Sequence, residues 1–518
     1  MHRQKILQND YLTNKIKMQL SKHTLKNIKE KPGLEIPNEK LLALPEKVLQ
    51  FGTGVLLRGL PDYFIDKANK QGIFNGRVVI VKSTDGSNDE FGQQDGLYTI
   101  CVRGLADGQE IKEDIINASI SRVLAAKSDW AAILECAHNA EMNIILSNTT
   151  EVGIQLVEEN VLAGVPSSFP GKLLAFLYER YKAFNGAADS GMVIVPTELI
   201  TDNGDKLKSI VLELAGFNKL DGAFINWLTN SNTFCNSLVD RIVPGKPSGK
   251  DLEELEIALG YTDALLTMSE PFRLWAIEGD EKVKEVLSFY KIDDAVKIEP
   301  DITLYKELKL RILNGTHTFN CGTAFLSGFN LTREAVGDEH YSTFTRKLMK
   351  QISDAIPYQI DENIKADFVT NTFERFCNPF INHQWQSITA QYTSKMNMRN
   401  VPLLLCHYEL NNSVPQYMAT GFAAYLLYMK AVKKDGDKYF GDRDGEQYEI
   451  KDDAAAYFYE LWQNNGANAV AEQVLKNESL WGTDLSHLQG FAEFVKTQLQ
   501  NIIANGALQT VAALEMVK

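Results

Sequence analysis

Lys309, Asn314 and His317 set an amine, an amide and an imidazole close together in the stretch KLRILNGTHTFN. On a helix turning about 100° per residue they fall at roughly 0°, 140° and 80°, all on one broad face. Asn314 and His317, three apart, are direct neighbours on that face. A lysine that gives and takes a proton, an amide that holds an oxyanion and a histidine that orients a hydroxyl suit chemistry at a carbonyl or secondary alcohol. A polar helix face is also what a solvated surface looks like, so the surrounding elements have to decide between the two.

The bulk properties narrow the field. A chain of 518 residues implies two to four units at about 150 residues per domain. Its 44% hydrophobic and 23% charged content is that of a soluble globular protein. A net charge of -14, with no basic stripe interleaved with aromatics, excludes nucleic acid as the main partner. An anionic substrate would therefore need a local cationic pocket. The six cysteines are scattered with no C-x-x-C pair, which removes the usual structural zinc patterns and any disulfide framework, and points to a reducing cytoplasm. No apolar run approaches the ~20 residues of a membrane span. Residues 1–44 read as a polar N-terminal extension without the apolar core of a signal peptide, and Met18 is an alternative start.

Residues 45–300 read as a dinucleotide-binding domain. KVLQFGTGVLLRG runs strand, Gly52-Thr53-Gly54 turn, then helix from Val55, an order that lets backbone N–H groups approach a pyrophosphate. The third small residue of the usual fingerprint falls on Leu57, so helix–strand packing must be solved differently; a plain glycine turn gives the same short pattern. RVVIVKSTDG supplies a second strand ending at Asp85, the carboxylate available to hold the ribose diol of NAD and repel the phosphate of NADP. Lys82 just before it, and the turn-forming Asp85-Gly86 pair, leave that assignment open. LYTICVRG begins a β-hairpin insertion. A strand over 143–146 then leads into a polar loop, 147–153, whose Ser147, Thr150 and Glu151 are placed to border a nicotinamide at the strand's carboxyl end. SFPGKLLAFLYERYKAF is an amphipathic helix, GMVIVPTELITDNGDKLKSIV a strand–loop–helix, and NSLVDRIVPG a strand and turn with an Asp240–Arg241 pair. The alternation predicts an α/β, doubly wound, mostly parallel sheet.

From residue 301 to 518 the texture is helical, with helices expected over 304–327, 339–356, 365–376, 413–432, 453–464, 467–474 and 488–505. The charged, Gly-containing segment 433–452 reads as a surface loop. No repeat of 20–50 residues recurs, which argues against a solenoid. The expected arrangement is two domains with the active site in the cleft between them, and Lys309 to His317 on the first helix past the junction.

Taken together, FGTGVLLRG, QQDGLYT, SNTTEVG, NSLVDRIVPG, EPFRLWAIEG, KLRILNGTHT and RFCNPFINH resemble the zinc-independent, polyol-specific long-chain dehydrogenases, the family of mannitol 2-dehydrogenase, fructuronate reductase and tagaturonate reductase. The matching motifs span most of the chain. VIVPTELITDNG and SFPGKLLAFLYER are most similar to the tagaturonate reductase (altronate oxidoreductase) branch. The resemblance implies NAD-dependent hydride transfer between a keto-uronate such as tagaturonate and its aldonate, altronate, in galacturonate breakdown, by a monomer or homodimer that needs no metal. It implies that Lys309 moves the proton, Asn314 steadies the oxyanion and His317 positions a substrate hydroxyl. Asp240 matches a substrate-pocket acid, or else forms a structural ion pair with Arg241.

One departure stands out. Mannitol-type members carry S-C-D-N where this chain reads Pro196-Thr197-Glu198-Leu199, and their asparagine is a second oxyanion donor. Losing such a donor costs roughly 2.7–4 kcal/mol, so a replacement such as Thr197 is expected. A uronate also brings a carboxylate that needs a cation, for which Arg375, Lys395 and Arg399 are the candidates, Arg375 first. Fructuronate or a neutral polyol is the alternative substrate. A non-catalytic dinucleotide-binding sensor is the alternative of another class, and the intact Lys309, Asn314 and His317 weigh against it.

Overall fold

The computed structural model describes residues 18–83, 89–149 and 153–516, and the chain divides into two compact units. The first comprises the chain up to residue 104 together with 110–302. The second comprises 105–109 together with 303 onward.

The first unit is built on a six-stranded sheet, all parallel: β1 (Glu46–Phe51), β2 (Arg77–Lys82), β3 (Ile120–Ala125), β4 (Ile144–Ser147), β5 (Val193–Pro196) and β6 (Thr233–Phe234). Their spatial order is 3-2-1-4-5-6, that of doubly wound sheets that bind a dinucleotide where the strand order reverses, between β1 and β4. Both faces are covered, and alternate residues sort onto them. Leu49, Phe51, Val79, Val81 and Ile145 enter one core, while Val48, Val78, Ile80, Ile144 and Leu146 enter the other. This is why the strands read as unbroken apolar runs. β3 escaped the sequence reading because Ser121 and Arg122 interrupt its pattern.

The expected hairpin is present, pairing Tyr98–Ala106 with Gln109–Asn117. Asp107 and Gly108 at its tip have φ of 52° and 71°, the left-handed pair a tight Asp-Gly turn requires. The segment read as a polar extension is, from Met18 on, part of the first unit. Thr262 N–H donates to the Met18 carbonyl, and Leu20, Leu25 and Ile28 are buried against Leu259, Tyr261 and Leu266.

The second unit is mostly helical and centres on the helix Thr316–Leu326, of which every residue from Thr316 to Phe325 is buried. Two glycines let it be approached closely. A Cβ on Gly421, in the helix Gln416–Tyr428, would stand 2.8 Å from the Phe319 carbonyl oxygen, and one on Gly322 would stand 2.8 Å from the Tyr392 hydroxyl. The expected helix over 304–327 is not one α-helix. Residues Thr303–Leu308 are α-helical, Lys309–Gly315 form a π-helix, and the α-helix resumes at Thr316. A second π-helix, Met396–Asn400, precedes the helix Val401–Leu410.

Segment 433–452 is not a loop. It is a three-stranded antiparallel meander, Lys433–Asp435, Lys438–Arg443 and Glu446–Ile450. Its turns fall on Gly436 and on Asp444-Gly445, all with positive φ. Those Asp-Gly steps were the available signal, masked by the charge of the strands between them. Arg443 reaches out of the meander to donate to the Phe325 carbonyl at the end of the central helix, its guanidinium lying 4.1 Å over the Phe325 ring. Among the described residues no helix is long and apolar enough to cross a membrane.

Candidate active site

In the first unit the expected dinucleotide turn follows β1. Gly52 has φ 130°, and a Cβ there would lie 2.9 Å from Leu57 Cδ1 and 3.0 Å from the Asn148 carbonyl oxygen, so only glycine fits. The same geometry explains the missing third small residue. Leu57 is fully buried and takes the room that Gly52 leaves, and a glycine arrives two positions later at Gly59, where a Cβ would be 2.8 Å from Val243. Gly54 caps the short helix Val55–Gly59 with open space around it.

The carboxyl ends of β1, β4 and β5 are knitted together by two residues that the sequence reading gave no role. Glu198 accepts from the Ser147 hydroxyl (3.1 Å) and from the Thr149 N–H (2.8 Å) and hydroxyl (3.0 Å). Asn148 donates its side-chain amide to the carbonyl and hydroxyl oxygens of Thr197, and its own N–H to the Phe51 carbonyl. A bare turn between strand and helix, the competing explanation of Gly-x-Gly, has no need of such a lattice. Asp85, Thr150 and Glu151 lie outside the described residues.

Leu199, where a second oxyanion donor would sit in mannitol-type relatives, is 62% exposed. Thr197 does not replace that donor in this structure, because its buried hydroxyl donates to the Ser147 carbonyl at 2.7 Å. Asp240 ends the strand Ser237–Asp240 and is buried and engaged. Its neighbour Arg241 donates to the carbonyls of Gly59 and Glu270 and stacks 4.5 Å over Tyr63, with burial pulling its pKa down to about 10.

In the second unit the π-helix changes how the Lys309–Asn314 pair is arranged. Five residues stand 140° apart on an α-helix, but i→i+5 is the hydrogen-bonding repeat of a π turn, so Lys309 and Asn314 come one above the other. Both are half-buried. His317 follows on the first α turn and is 8% exposed. Phe376 stacks flat against its ring at 4.4 Å, while His383 and Trp385 meet it edge-on at 5.0 Å and 6.1 Å. Its Nε2 is buried with no partner among the described residues. Burial, then the positive charge of His383, Arg375, Arg399 and Lys395, hold His317 well below the ordinary 6.5. It is a neutral imidazole.

The three cations proposed for a carboxylate are thus brought to one place. Arg375, buried in the last turn of Glu362–Phe376, precedes the Phe376 that stacks on His317, Arg399 donates to the Thr318 hydroxyl one residue on, and the charges of both, with that of Lys395, bear on the histidine. Lys395 is itself lowered by burial and by Arg399, and Arg399 by burial. Phe376, His383 and Trp385 are visible as R-F…H-x-W in the sequence, but spacing alone does not say that they converge on a ring 59 to 68 residues earlier.

A parallel dinucleotide-type sheet joined in one chain to a K-x4-N-x2-H motif whose histidine is neutral describes an oxidoreductase acting on CH–OH groups. The chain belongs to the mannitol dehydrogenase family: residues 46–289 match the Mannitol dehydrogenase Rossmann domain, and residues 301–503 the Mannitol dehydrogenase C-terminal domain. Curated relatives are named altronate oxidoreductase. That of Halalkalibacterium halodurans is 37% identical over 91% of this chain and 93% of its own length, and that of Bacillus subtilis 38% identical over 88% and 93%. Among solved structures, Pseudomonas fluorescens mannitol 2-dehydrogenase in ternary complex with NAD and D-mannitol is similar with a TM-score of 0.68 at 22% identity, covering 97% of this chain and 100% of that one. At that identity the likeness concerns the fold.

Proposed function

We propose that the protein is an NAD-dependent reductase that interconverts tagaturonate and altronate, acting in galacturonate breakdown in the cytoplasm. The observation that carries the substrate class is the set of three cations around neutral His317, in a chain of net charge -14. A neutral polyol would not call for it. The altronate oxidoreductases that match about nine-tenths of the chain support the particular acid.

The residues present fit a dinucleotide. Gly52 lets the turn pack directly on Leu57 and the Asn148 carbonyl, while Gly54 faces open space, and Gly54, Val55 and the Ser147 loop are assigned to the cofactor at the strand-order reversal. Asp85, Thr150 and Glu151 are assigned to the same cofactor, with Asp85 on the ribose diol selecting NAD. When bound, the nicotinamide supplies or accepts the hydride at the substrate carbon.

The chain's own residues handle the proton and the geometry. In reduction, the Lys309 ammonium gives a proton to the oxygen as the carbonyl becomes an alkoxide; in oxidation, the amine takes it back. The Asn314 amide donates a hydrogen bond to that oxygen while it carries charge. His317 holds a neighbouring hydroxyl through Nε2, Asp240 holds another, and the cations Arg375 and Lys395 draw in the carboxylate. NADH and NADPH oxidation measured with tagaturonate, fructuronate and fructose side by side tests the proposal. Tagaturonate with NADH should give the highest kcat/KM; a clear preference for fructose would overturn it.

A further inference from the structure

The three cations around His317 are not equivalent. The Lys395 ammonium already donates to the Ile388 carbonyl at 2.9 Å. Arg375 is engaged as well. Arg399 donates through Nη1 to the Thr318 hydroxyl, at 3.3 Å, but its Nε is buried and has no partner among the described residues. A buried, charged donor left without an acceptor is costly, and an arriving anion removes the cost.

The backbone beneath Arg399 is fixed from outside its own helix. Pro402 has no N–H, so the Met398 carbonyl loses its usual donor four residues on. Arg311 of the first π-helix takes over, its Nη1 donating to the carbonyls of Met398 (3.1 Å) and Arg399 (2.7 Å) while Nε pairs with Glu307 at 2.9 Å. Asn400 returns a hydrogen bond to the Gly315 carbonyl. The turn that carries Arg399 is therefore locked in register to the turn that carries Lys309 and Asn314.

We infer that Arg399 is the residue that receives the substrate carboxylate, through its Nε edge, presented by the second π-helix at a distance from Lys309 that Arg311 fixes. This rests on the keto-uronate reading above. A guanidinium edge matches a carboxylate with two parallel hydrogen bonds, which a lysine cannot do.

The test measures kcat/KM for tagaturonate and for a neutral ketohexose, with NADH, in the wild type, Arg399→Met and Arg399→Lys. The ratio of acid to neutral substrate should fall about 10- to 100-fold in Arg399→Met, mainly through KM, the range expected for losing hydrogen bonds to a charged group. Arg399→Lys should recover part of it, because charge remains and the fork is lost. A ratio unchanged in Arg399→Met, including the case where both substrates suffer equally, overturns Arg399 as the receptor and leaves the keto-uronate reading standing. A wild type with no preference for the keto acid overturns the reading and this inference together. Should Arg399→Met fail to fold, a wild-type ratio in Arg399→Lys overturns the inference by itself.

Discussion

The two units prepare their functional groups by opposite means. In the first, the decisive feature is where side chain is missing: Gly52 lets the turn close onto Leu57 and the Asn148 backbone, Gly54 faces open space, and hydrogen bonds among strand ends hold the rest. In the second, the decisive feature is an excess. The wider turns of two π-helices, and the positive charge of Arg375, Lys395 and Arg399, converge on one buried histidine. The first unit thus shapes its turn with backbone, whereas the second gathers charged side chains on two π-helices and the helix end at Arg375.

The contrast is broken most severely at Lys309. Lys309→Ala should lower kcat by roughly 10²- to 10⁴-fold, the usual contribution of a general acid–base, and should flatten the pH–rate profile while NADH binding measured by fluorescence persists. Turnover that survives unchanged at every pH would place the proton chemistry elsewhere. Gly52→Val should do the reverse, abolishing measurable dinucleotide binding and costing about 1–3 kcal/mol of stability for a side chain at φ 130°. Denaturant melts and dinucleotide titration report the two effects separately.

Arg311→Met sharpens the comparison within the second unit. It leaves the Met398 and Arg399 carbonyls short of a donor, and should reduce kcat/KM about tenfold with a stability loss on the order of 1–3 kcal/mol. Arg311→Lys should restore part of the stability. A stability loss with no change in rate would make the clamp a scaffold only.

The smallest effect concerns the first unit's core. Asp62 is fully buried behind the β1 turn, bonded to Gln50, and burial raises its pKa from 3.8 to about 7. Its folded pKa exceeds its unfolded one, so its contribution to stability is complete below about pH 4 and lost as pH rises through about 7. Asp62→Asn should therefore match the wild type near pH 4 and be more stable by up to a few kcal/mol at pH 8. Thermal melts across that range check the sign, and equal melting at pH 8 would mean that the carboxylate is better compensated than its burial suggests.

How much of this was legible in the sequence follows the same division. The parallel sheet was, because both of its faces are buried and β1, β2, β4 and β5 are largely apolar runs, whereas the interrupted β3 was not. The Lys309–Asn314–His317 motif was legible as residues but not as geometry. An α-helical wheel separates Lys309 from Asn314 by 140°, and nothing in KLRILN announces the wider turn. The meander at 433–452 was hidden by its lysines and aspartates, and Glu198 by the comparison with relatives that made it look like a departure rather than a brace.

Pro402 carries a consequence for how the chain reaches this structure. Pro402 offers the Met398 carbonyl no α-helical donor, and a side chain 87 residues earlier, Arg311, donates to it. The turn at Met396–Asn400 is therefore complete only when the segment bearing Arg311 has docked. Amide exchange at Met396 to Asn400 should then open together with the first π-helix as one cooperative unit, rather than fray with the helix that follows.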